Sequence, residues 1–328
     1  MLAEVLRRLT QAVFVLLAMS LLVFLGVYAI GNPVELLVNP QADEAEKLRA
    51  TVALGLDKPL PEQYLVFLRG ALGGDLGRSF VFGVPSLELI LSKLPATVEL
   101  ALVAMVLAVG IGIPLGLLAG LKPESWFSRG IMTGSILGFS LPSFWVGLVL
   151  IMLFSVHLGW LPSSGRGQTV TVLGLRLSLF TADGLLHILM PAFNLALFKL
   201  SLLIRLTRAQ TREALTQDYV RFARAKGLHA RRVVGVHVLK SILIPIVTVI
   251  GLEFGSVIAF AIVTESIFAW PGTGKLLIDS INHLDRPVIV AYLLVIVTLF
   301  VTINLVVDLL YTALDPRVRA GARRAAQA

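Results

Sequence analysis

The chain has 328 residues, of which 57% are hydrophobic and only 15% are charged, and its mean hydropathy is +0.88. A soluble domain, with about 25% charged residues, could not bury so much apolar surface, so the composition indicates a membrane protein. The formal charge of +8 suits either nucleic acid or anionic lipid, but the basic residues lie mostly beside apolar runs, which favours the membrane. The absence of cysteine excludes disulfides and thiol catalysis.

Six runs are long and apolar enough to cross a membrane, since a helix needs about 20 mostly apolar residues to span the hydrocarbon core. They are residues 9–30, 97–121, 131–157, 186–206, 241–264 and 288–314. The first run follows Arg7 and Arg8 as a signal peptide would, but its length and the lack of a small-x-small cleavage site indicate a retained span. The expected fold is all-α, with six transmembrane helices.

The charge of the loops predicts the orientation of these spans, because cytoplasmic loops are enriched in Lys and Arg. Between spans four and five, residues 205–240 hold nine basic side chains and only two acids. This segment is therefore expected in the cytoplasm, and six spans then place both termini there. The expected division is a cytoplasmic N terminus with the first span (1–30), an extracytoplasmic insertion (31–96), a transmembrane core (97–314) containing a cytoplasmic loop (207–240), and a cytoplasmic tail (315–328).

The segments expected outside differ in character. In the first, residues 43–53 and 61–72 have the pattern of short amphipathic helices. Residues 158–185 are rich in Gly, Ser and Thr and are expected to form an extended loop. Residues 265–287 contain the turn-forming sequence Trp270-Pro271-Gly272-Thr273-Gly274.

The cytoplasmic segment contains the pattern of a short helix. Residues 216–230 read TQDYVRFARAKGLHA, in which Asp218 can cap a helix that begins near Tyr219 and Gly227 can end it in a left-handed conformation. Helical spacing places four side chains on one face: Tyr219, Phe222, Ala223 and Lys226. A short amphipathic helix between two spans can fit a groove on a partner protein.

This segment carries a resemblance to a known family. The family's peptide branch has the string Asp-Tyr-x-x-x-Ala-Arg-Ala-Lys-Gly-Leu, which residues 218–228 match at every specified position. Further matching strings are Gly55-Leu56-Asp57-Lys58-Pro59, Gly74-Asp75-Leu76-Gly77-Arg78-Ser79, Leu94-Pro95-Ala96-Thr97, Leu141-Pro142-Ser143-Phe144-Trp145, Glu265-Ser266-Ile267-Phe268 and Asp315-Pro316-Arg317-Val318-Arg319. The chain resembles the permease subunits of peptide/nickel-type ABC importers, in particular the dipeptide and oligopeptide permeases of the B type. Of the wider family's cytoplasmic signature, only Ala223, Gly227 and Leu239 match.

The resemblance implies a type I ABC importer permease fold in the bacterial inner membrane. It implies a related second permease subunit that completes a heterodimer, two ABC ATPase subunits that use ATP and Mg²⁺, and an extracytoplasmic substrate-binding protein. The chain itself would then be no enzyme and would hold no cofactor. The segment coupled to an ATPase would comprise Asp218, Tyr219, Arg221, Phe222, Ala223, Arg224, Ala225, Lys226, Gly227 and Leu228.

The sequence leaves the cargo open. Di- and oligopeptides are the first reading, and nickel chelates, glutathione or another small peptide-like solute would use the same architecture. A third alternative, from a different class, is a secondary carrier that needs no ATPase and uses Lys199 and Glu253 as a charge relay.

Lys199 and Glu253 are ionisable residues inside predicted spans, and such residues are functional candidates by default. Lys199 lies about 9 Å from Arg205 along a helix and can snorkel to the interface, whereas Glu253 lies about 18 Å into its span and cannot easily do so. Either the two form a structural pair, or they line a translocation path and contact peptide termini.

Two other readings are weak. Residues 271–275 resemble a phosphate loop, but the positions that require Gly and Ser or Thr hold Ala269 and Leu276. The five histidines are scattered without metal-ligand spacing, so neither a metal site nor a catalytic site is expected.

Overall fold

The computed structural model describes residues 2–29, 43–53 and 57–314. The expected cytoplasmic tail, residue 30 of the expected first span, and residues 31–42 and 54–56 of the expected insertion lie outside the described residues. The helices in chain order are α1 (Leu2–Ala29), α2 (Glu44–Ala53), α3 (Leu60–Leu72), α4 (Ser86–Leu121), α5 (Trp126–Ser140), α6 (Ser143–Leu150, continued as a π-helix at Ile151–His157), α7 (Ala182–Thr216), α8 (Asp218–Ala225), α9 (Ala230–Ala259, with a π-helical segment at Val233–Val238), α10 (Ala261–Ile267), α11 (Thr273–Asn282) and α12 (Arg286–Leu314).

The chain forms two compact units. One comprises Lys93–Lys275 and the residues from Thr302 onward, and the other comprises Leu2–Ser92 and Leu276–Val301. In the second unit, α3 packs on α1, where the hydroxyls of Tyr64 and Ser20 are 2.8 Å apart and the Tyr64 ring meets Phe24 edge-on. The two short helices predicted in the insertion are confirmed as α2 and α3.

Five of the described helices are long and apolar enough to cross a membrane: α1, α4, α7, α9 and α12. A sixth candidate span is the pair α5 and α6, which is bent by 107°. The prediction of one continuous helix over 131–157 is therefore wrong. Pro142 restricts the residue before it to extended backbone, and Leu141 accordingly ends α5 at φ −79° and ψ 134°.

The fourth span is longer than predicted. Helix α7 ends at Thr216, ten residues beyond the expected limit at 206, so the loop expected over 207–240 begins inside a helix. The residues that extend it are mainly Arg, Ala, Gln, Glu and Leu, which are good helix formers even outside an apolar environment. Hydropathy marks where a span leaves the membrane, but a helix continues for as long as local propensity supports it.

A β-hairpin interrupts the segment expected to be an extended loop. Val170–Val172 pairs antiparallel with Leu175–Leu177. The two residues between the strands, Leu173 and Gly174, have φ values of +51° and +82°, as a two-residue hairpin turn requires. Within the described residues this hairpin is the exception to an all-α fold.

A line of glycines lets α4 approach α7 closely. Gly112, Gly116 and Gly120 are spaced by four residues, and a Cβ atom built on Gly116 would lie 2.6 Å from the Cβ of Thr207 and 2.7 Å from the carbonyl oxygen of Ile204. Small residues at this spacing allow helix backbones in membranes to pack directly. The sequence contains this signal, although the sequence analysis did not use it.

We expect Gly116→Ala to lower the stability of the purified protein by about 1–3 kcal/mol, because the added methyl group must displace α7. The matched control is Gly110→Ala in the same helix, where a Cβ meets nothing within 4 Å. Thermal unfolding in detergent measures both. Equal melting temperatures for the two variants would contradict this account of the packing.

Candidate functional site

An ion pair joins α7 to α9. The ammonium of Lys199 donates to the Glu253 carboxylate and to the Ser256 hydroxyl, the latter at 2.8 Å. The side chains of Lys199 and Glu253 are 11% and 28% exposed. Lys199 therefore does not snorkel, and the structure brings together the two charges that the sequence analysis selected. Ser256, which also lies 3.0 Å from the Glu253 carboxylate, was not anticipated.

A cavity of about 350 Å³ lies beside this pair. Its lining is mostly apolar, with Leu141 and Val257 among its residues, and Lys199 and Asn194 also border it. Asn194 is 3% exposed and donates its amide Nδ2 to the Thr264 hydroxyl at 3.1 Å, whereas its Oδ1 has no hydrogen-bond partner among the described residues. A single Asn in an apolar run gave no sequence signal for this position.

Aromatic rings surround the cations of α7. The rings of Phe139 and Phe198 stack with centroids 4.5 Å apart. The Arg205 guanidinium lies 4.4 Å from the Phe139 centroid, and the Lys199 ammonium lies 5.2 Å from that of Phe198. The electron-rich ring faces attract both cations, so aromatic contacts supplement the Glu253 carboxylate.

The matched string Leu94-Pro95-Ala96-Thr97 and the predicted turn at residues 270–274 meet in space. The Trp270 indole donates to the carbonyl of Ala96 at 2.9 Å, and the backbone N–H of Thr273 donates to the Thr97 hydroxyl at 2.8 Å. Trp270 is fully buried. The turn predicted around residues 270–274 therefore serves to fasten this segment to the start of the second predicted span.

The same turn encloses Glu265. One carboxylate oxygen accepts the backbone N–H groups of Gly274 and Lys275 at 2.7 and 3.0 Å. Burial raises the pKa of Glu265, while its hydrogen bonds with Thr97, Lys275 and Gly274 act in the opposite direction. The carboxylate satisfies backbone donors at the start of α11 and thereby holds the turn against α10.

A second buried carboxylate, Glu99, anchors the segment that carries the hairpin. It accepts the guanidinium Nε of Arg166 at 3.1 Å and the backbone N–H groups of Ser178 and Leu179 at 2.6 and 2.8 Å. The Arg166 guanidinium also lies 5.7 Å from the Trp270 ring centroid. These contacts fasten the 158–185 segment to Glu99 in α4.

Helix α8 occupies the segment predicted to contact a partner. It begins at Asp218, with Gln217 in the capping position, so the prediction that Asp218 caps the helix is wrong. The Asp218 carboxylate instead lies 3.7 Å from the Arg221 guanidinium, with both side chains exposed. Gly227 has φ +73° and follows the helix as the predicted left-handed stop.

The faces of α8 differ from the prediction in one residue. Val220 and Ala223 are 0% and 4% exposed, and the helix packs on α7 and on the π-helical segment of α9. Phe222 is 61% exposed, and the Lys226 ammonium lies 4.5 Å from its ring centroid. Ala223 thus packs against its own chain and does not share the exposed face. Tyr219 is partly exposed, and its hydroxyl bonds to Ser241 at 2.8 Å.

We expect Lys199→Met to destabilise the protein by about 2 kcal/mol, since it leaves the Glu253 carboxylate in an apolar site without its cation. Adding Glu253→Gln removes that charge and should recover most of the loss. Thermal unfolding of the wild type and of both variants forms the test. Identical melting of the single and the double variant would show that the uncompensated Glu253 carboxylate is not what destabilises Lys199→Met.

The fold has a counterpart among solved structures. A chain of the MetNI methionine ABC transporter, in an inward-facing conformation, superposes with a TM-score of 0.54 at 16% identity, over 69% of this chain and 96% of that chain. At this identity the likeness shows the fold alone, and it confirms the expected type I ABC importer permease fold.

Curated relatives cover nearly the whole chain. The di/tripeptide transport system permease protein DppB of Pseudomonas aeruginosa is 41% identical over 97% of this chain and 99% of its own length. With the same coverage, the dipeptide transport system permease protein DppB of Escherichia coli is 39% identical, and the oligopeptide transport system permease protein AppB of Bacillus subtilis is 40% identical.

Family models match both parts of the chain. Residues 1–101 match the N-terminal region of binding-protein-dependent transport system membrane components, and residues 112–320 match the inner membrane component itself. Together with the apolar helices, these matches identify a multi-pass inner-membrane protein and a transport component, not an enzyme. The chain belongs to the family of binding-protein-dependent transport system inner membrane components.

Proposed function

We propose that the chain is the membrane-spanning permease subunit of an ATP-driven importer of di- and oligopeptides. The names of the three full-length relatives described above, which are peptide permeases, support this cargo. The observation that carries the mechanism is α8, a short helix anchored on one side and exposed on the other. The other peptide-like cargoes remain compatible with the architecture, but no contact in the structure favours them.

The exposed face of α8 is suited to a groove on an ATPase subunit. Phe222 offers an apolar anchor, and the neighbouring side chains Arg221, Arg224 and Lys226 are exposed and basic. The buried face, formed by Val220 and Ala223, ties the helix to α7 and α9. Displacement of α8 by the partner would therefore be transmitted to two membrane-spanning helices as rigid-body motion. The residues proposed for this coupling remain those of the 218–228 segment.

The assembly proposed around this subunit has three kinds of partner. A related permease subunit completes the pathway as a heterodimer, two ATPase subunits bind ATP and Mg²⁺ on the cytoplasmic side, and an extracytoplasmic binding protein delivers the peptide. Both termini and the 207–240 segment face the cytoplasm. The segments around Glu99 and Glu265 then face outward, where their buried hydrogen bonds provide a firm surface for the binding protein.

Lys199 and Glu253 are proposed to lie along the translocation path. The cavity beside Lys199 supports this role, because an ion pair with only a structural purpose requires no adjoining space. The ATPase-independent carrier considered from the sequence loses its support, since the family works with a binding protein.

Cysteine labelling tests the orientation, because the chain has no native cysteine. Leu173→Cys at the hairpin tip, where Leu173 is 99% exposed, should react with an impermeant maleimide in right-side-out vesicles. Arg231→Cys, also at an exposed position, should react only after the vesicles are inverted or permeabilised. Labelling of Arg231→Cys from outside would overturn both the orientation and the proposed coupling.

Phe222→Asp tests the coupling surface. The variant places a charge where an apolar groove of the ATPase is expected, so we predict at least a tenfold loss of ATP-dependent peptide uptake and of ATPase co-purification. Thermal stability of the permease should hardly change, because Phe222 is exposed. Phe180→Asp is the control, since Phe180 is equally exposed in the 158–185 segment and should leave ATPase co-purification intact. Normal co-purification and uptake with Phe222→Asp would refute the assignment.

A further inference from the structure

The cavity beside Lys199 has an unused hydrogen-bond donor. An ammonium group has three N–H donors. Among the described residues, Glu253 and Ser256 take two of those of Lys199. The third takes part in no hydrogen bond among these residues. Apart from the two hydrogen bonds the ammonium contacts the Phe198 ring, 5.2 Å away, so this donor is available to a molecule in the cavity that Lys199 borders. A carboxylate is the group that gains most from such a donor, because the hydrogen bond is charge-assisted.

The cavity also has an unused acceptor. The Oδ1 atom of Asn194 is buried without a hydrogen-bond partner in the part of the chain that the structure describes, which is costly unless a ligand supplies a donor. Asn194 lies five residues before Lys199 in the same helix, about 7.5 Å along its axis. The cavity is therefore bordered by two residues that carry an unused donor and an unused acceptor, as a small ligand with both kinds of group requires.

Charge balance selects the kind of ligand. Lys199 and Glu253 together are neutral, and the cavity wall is mostly apolar. A zwitterion keeps this environment neutral, with its carboxylate at Lys199 and an N–H group at Asn194. An anionic ligand would add a negative charge beside Glu253, and a cationic ligand would add a positive charge beside Lys199, in surroundings that penalise both.

The size of the cavity limits the length of the ligand. A spherical cavity of 350 Å³ would be about 9 Å across, whereas extended chains of two and four residues span about 7 Å and 14 Å. A chain of two residues, or a bent chain of three, lies wholly within it, whereas a longer chain extends out through the open side of the cavity.

We propose that this cavity is a contact site for free di- and tripeptides, in which Lys199 binds the terminal carboxylate, Asn194 accepts a peptide or terminal N–H, and Glu253 keeps the site neutral. This inference rests on the proposed function and deepens it. The translocation path through this subunit would then favour short peptides whose amino and carboxyl termini are both free.

A reporter cysteine in the cavity can test the site directly. Ser143 borders the cavity, and the chain has no other cysteine. Ser143→Cys is introduced into the permease within the complete transporter, purified without its binding protein, and its alkylation by a maleimide is timed. L-alanyl-L-phenylalanine should slow alkylation at least fivefold over a concentration series. N-acetyl-L-alanyl-L-phenylalanine amide, which lacks both terminal charges, should give no protection.

Variants separate recognition from structure. When Ser143→Cys is combined with Lys199→Met and Glu253→Gln, neither charge of the pair is left without its partner. The dipeptide concentration that halves the alkylation rate should then rise at least tenfold, although thermal stability is retained. Asn194→Leu should raise it about fivefold, whereas Leu173→Ala at the hairpin tip should leave it unchanged. If the dipeptide and its blocked analogue protect equally, or if the double variant is protected like the wild-type background, the assignment of the site is overturned.

Peptide uptake by the reconstituted transporter with its binding protein tests the proposed function separately from the cavity site. Peptide uptake without any protection of Ser143→Cys would refute the cavity site and leave the proposed function intact. A reconstituted complex that hydrolyses ATP but imports no peptide would refute the peptide importer itself.

Discussion

Buried carboxylates need partners, and in this chain that requirement joins segments that are far apart in the sequence. Glu99 holds Arg166 and the backbone around Ser178, and Glu265 holds the start of α11. In the other compact unit, Asp285 accepts the Ser79 hydroxyl and the backbone N–H of Phe80. An ionised group in apolar surroundings is tolerated only when donors surround it, so each of these acids determines where its donors must lie.

Glu253 meets the same requirement in a different way. Its partners are side chains, Lys199 and Ser256, and the pair adjoins open space. Backbone donors hold Glu99 and Glu265 in fixed positions, whereas a lysine ammonium on a flexible stem can share its donors with an incoming ligand. The contrast separates carboxylates that stabilise the fold from the one that we propose takes part in transport.

Helix α8 shows how a short exposed element can act on the membrane helices. Its exposed aromatic side chain and basic neighbours are available to a partner, while Val220 and Ala223 are packed into the chain. The proposed coupling to an ATPase needs this packing, because a helix that only lay on the surface would have no contact through which to move α7 and α9. The close approach of α4 to α7, which Gly116 permits, extends this rigid contact to a further membrane-spanning helix.

Hydropathy alone indicated a helical membrane protein and located the five continuous spans, although it predicted the bent sixth as a single run. Amphipathic spacing and capping residues predicted α2, α3 and α8. These properties follow from local composition and periodicity, so they can be read without knowing which segments meet. The inward orientation of Ala223 and the partners of Glu99 and Glu265 depended on packing, whereas the break before Pro142 is a local effect of the proline ring. Lys199 and Glu253 were recognisable as charges in apolar runs, but only the tertiary structure paired them and placed Asn194 and a cavity beside them. The reason is physical: hydrogen bonds and close contacts between distant segments depend on the distances that folding creates, and no window of sequence contains those distances.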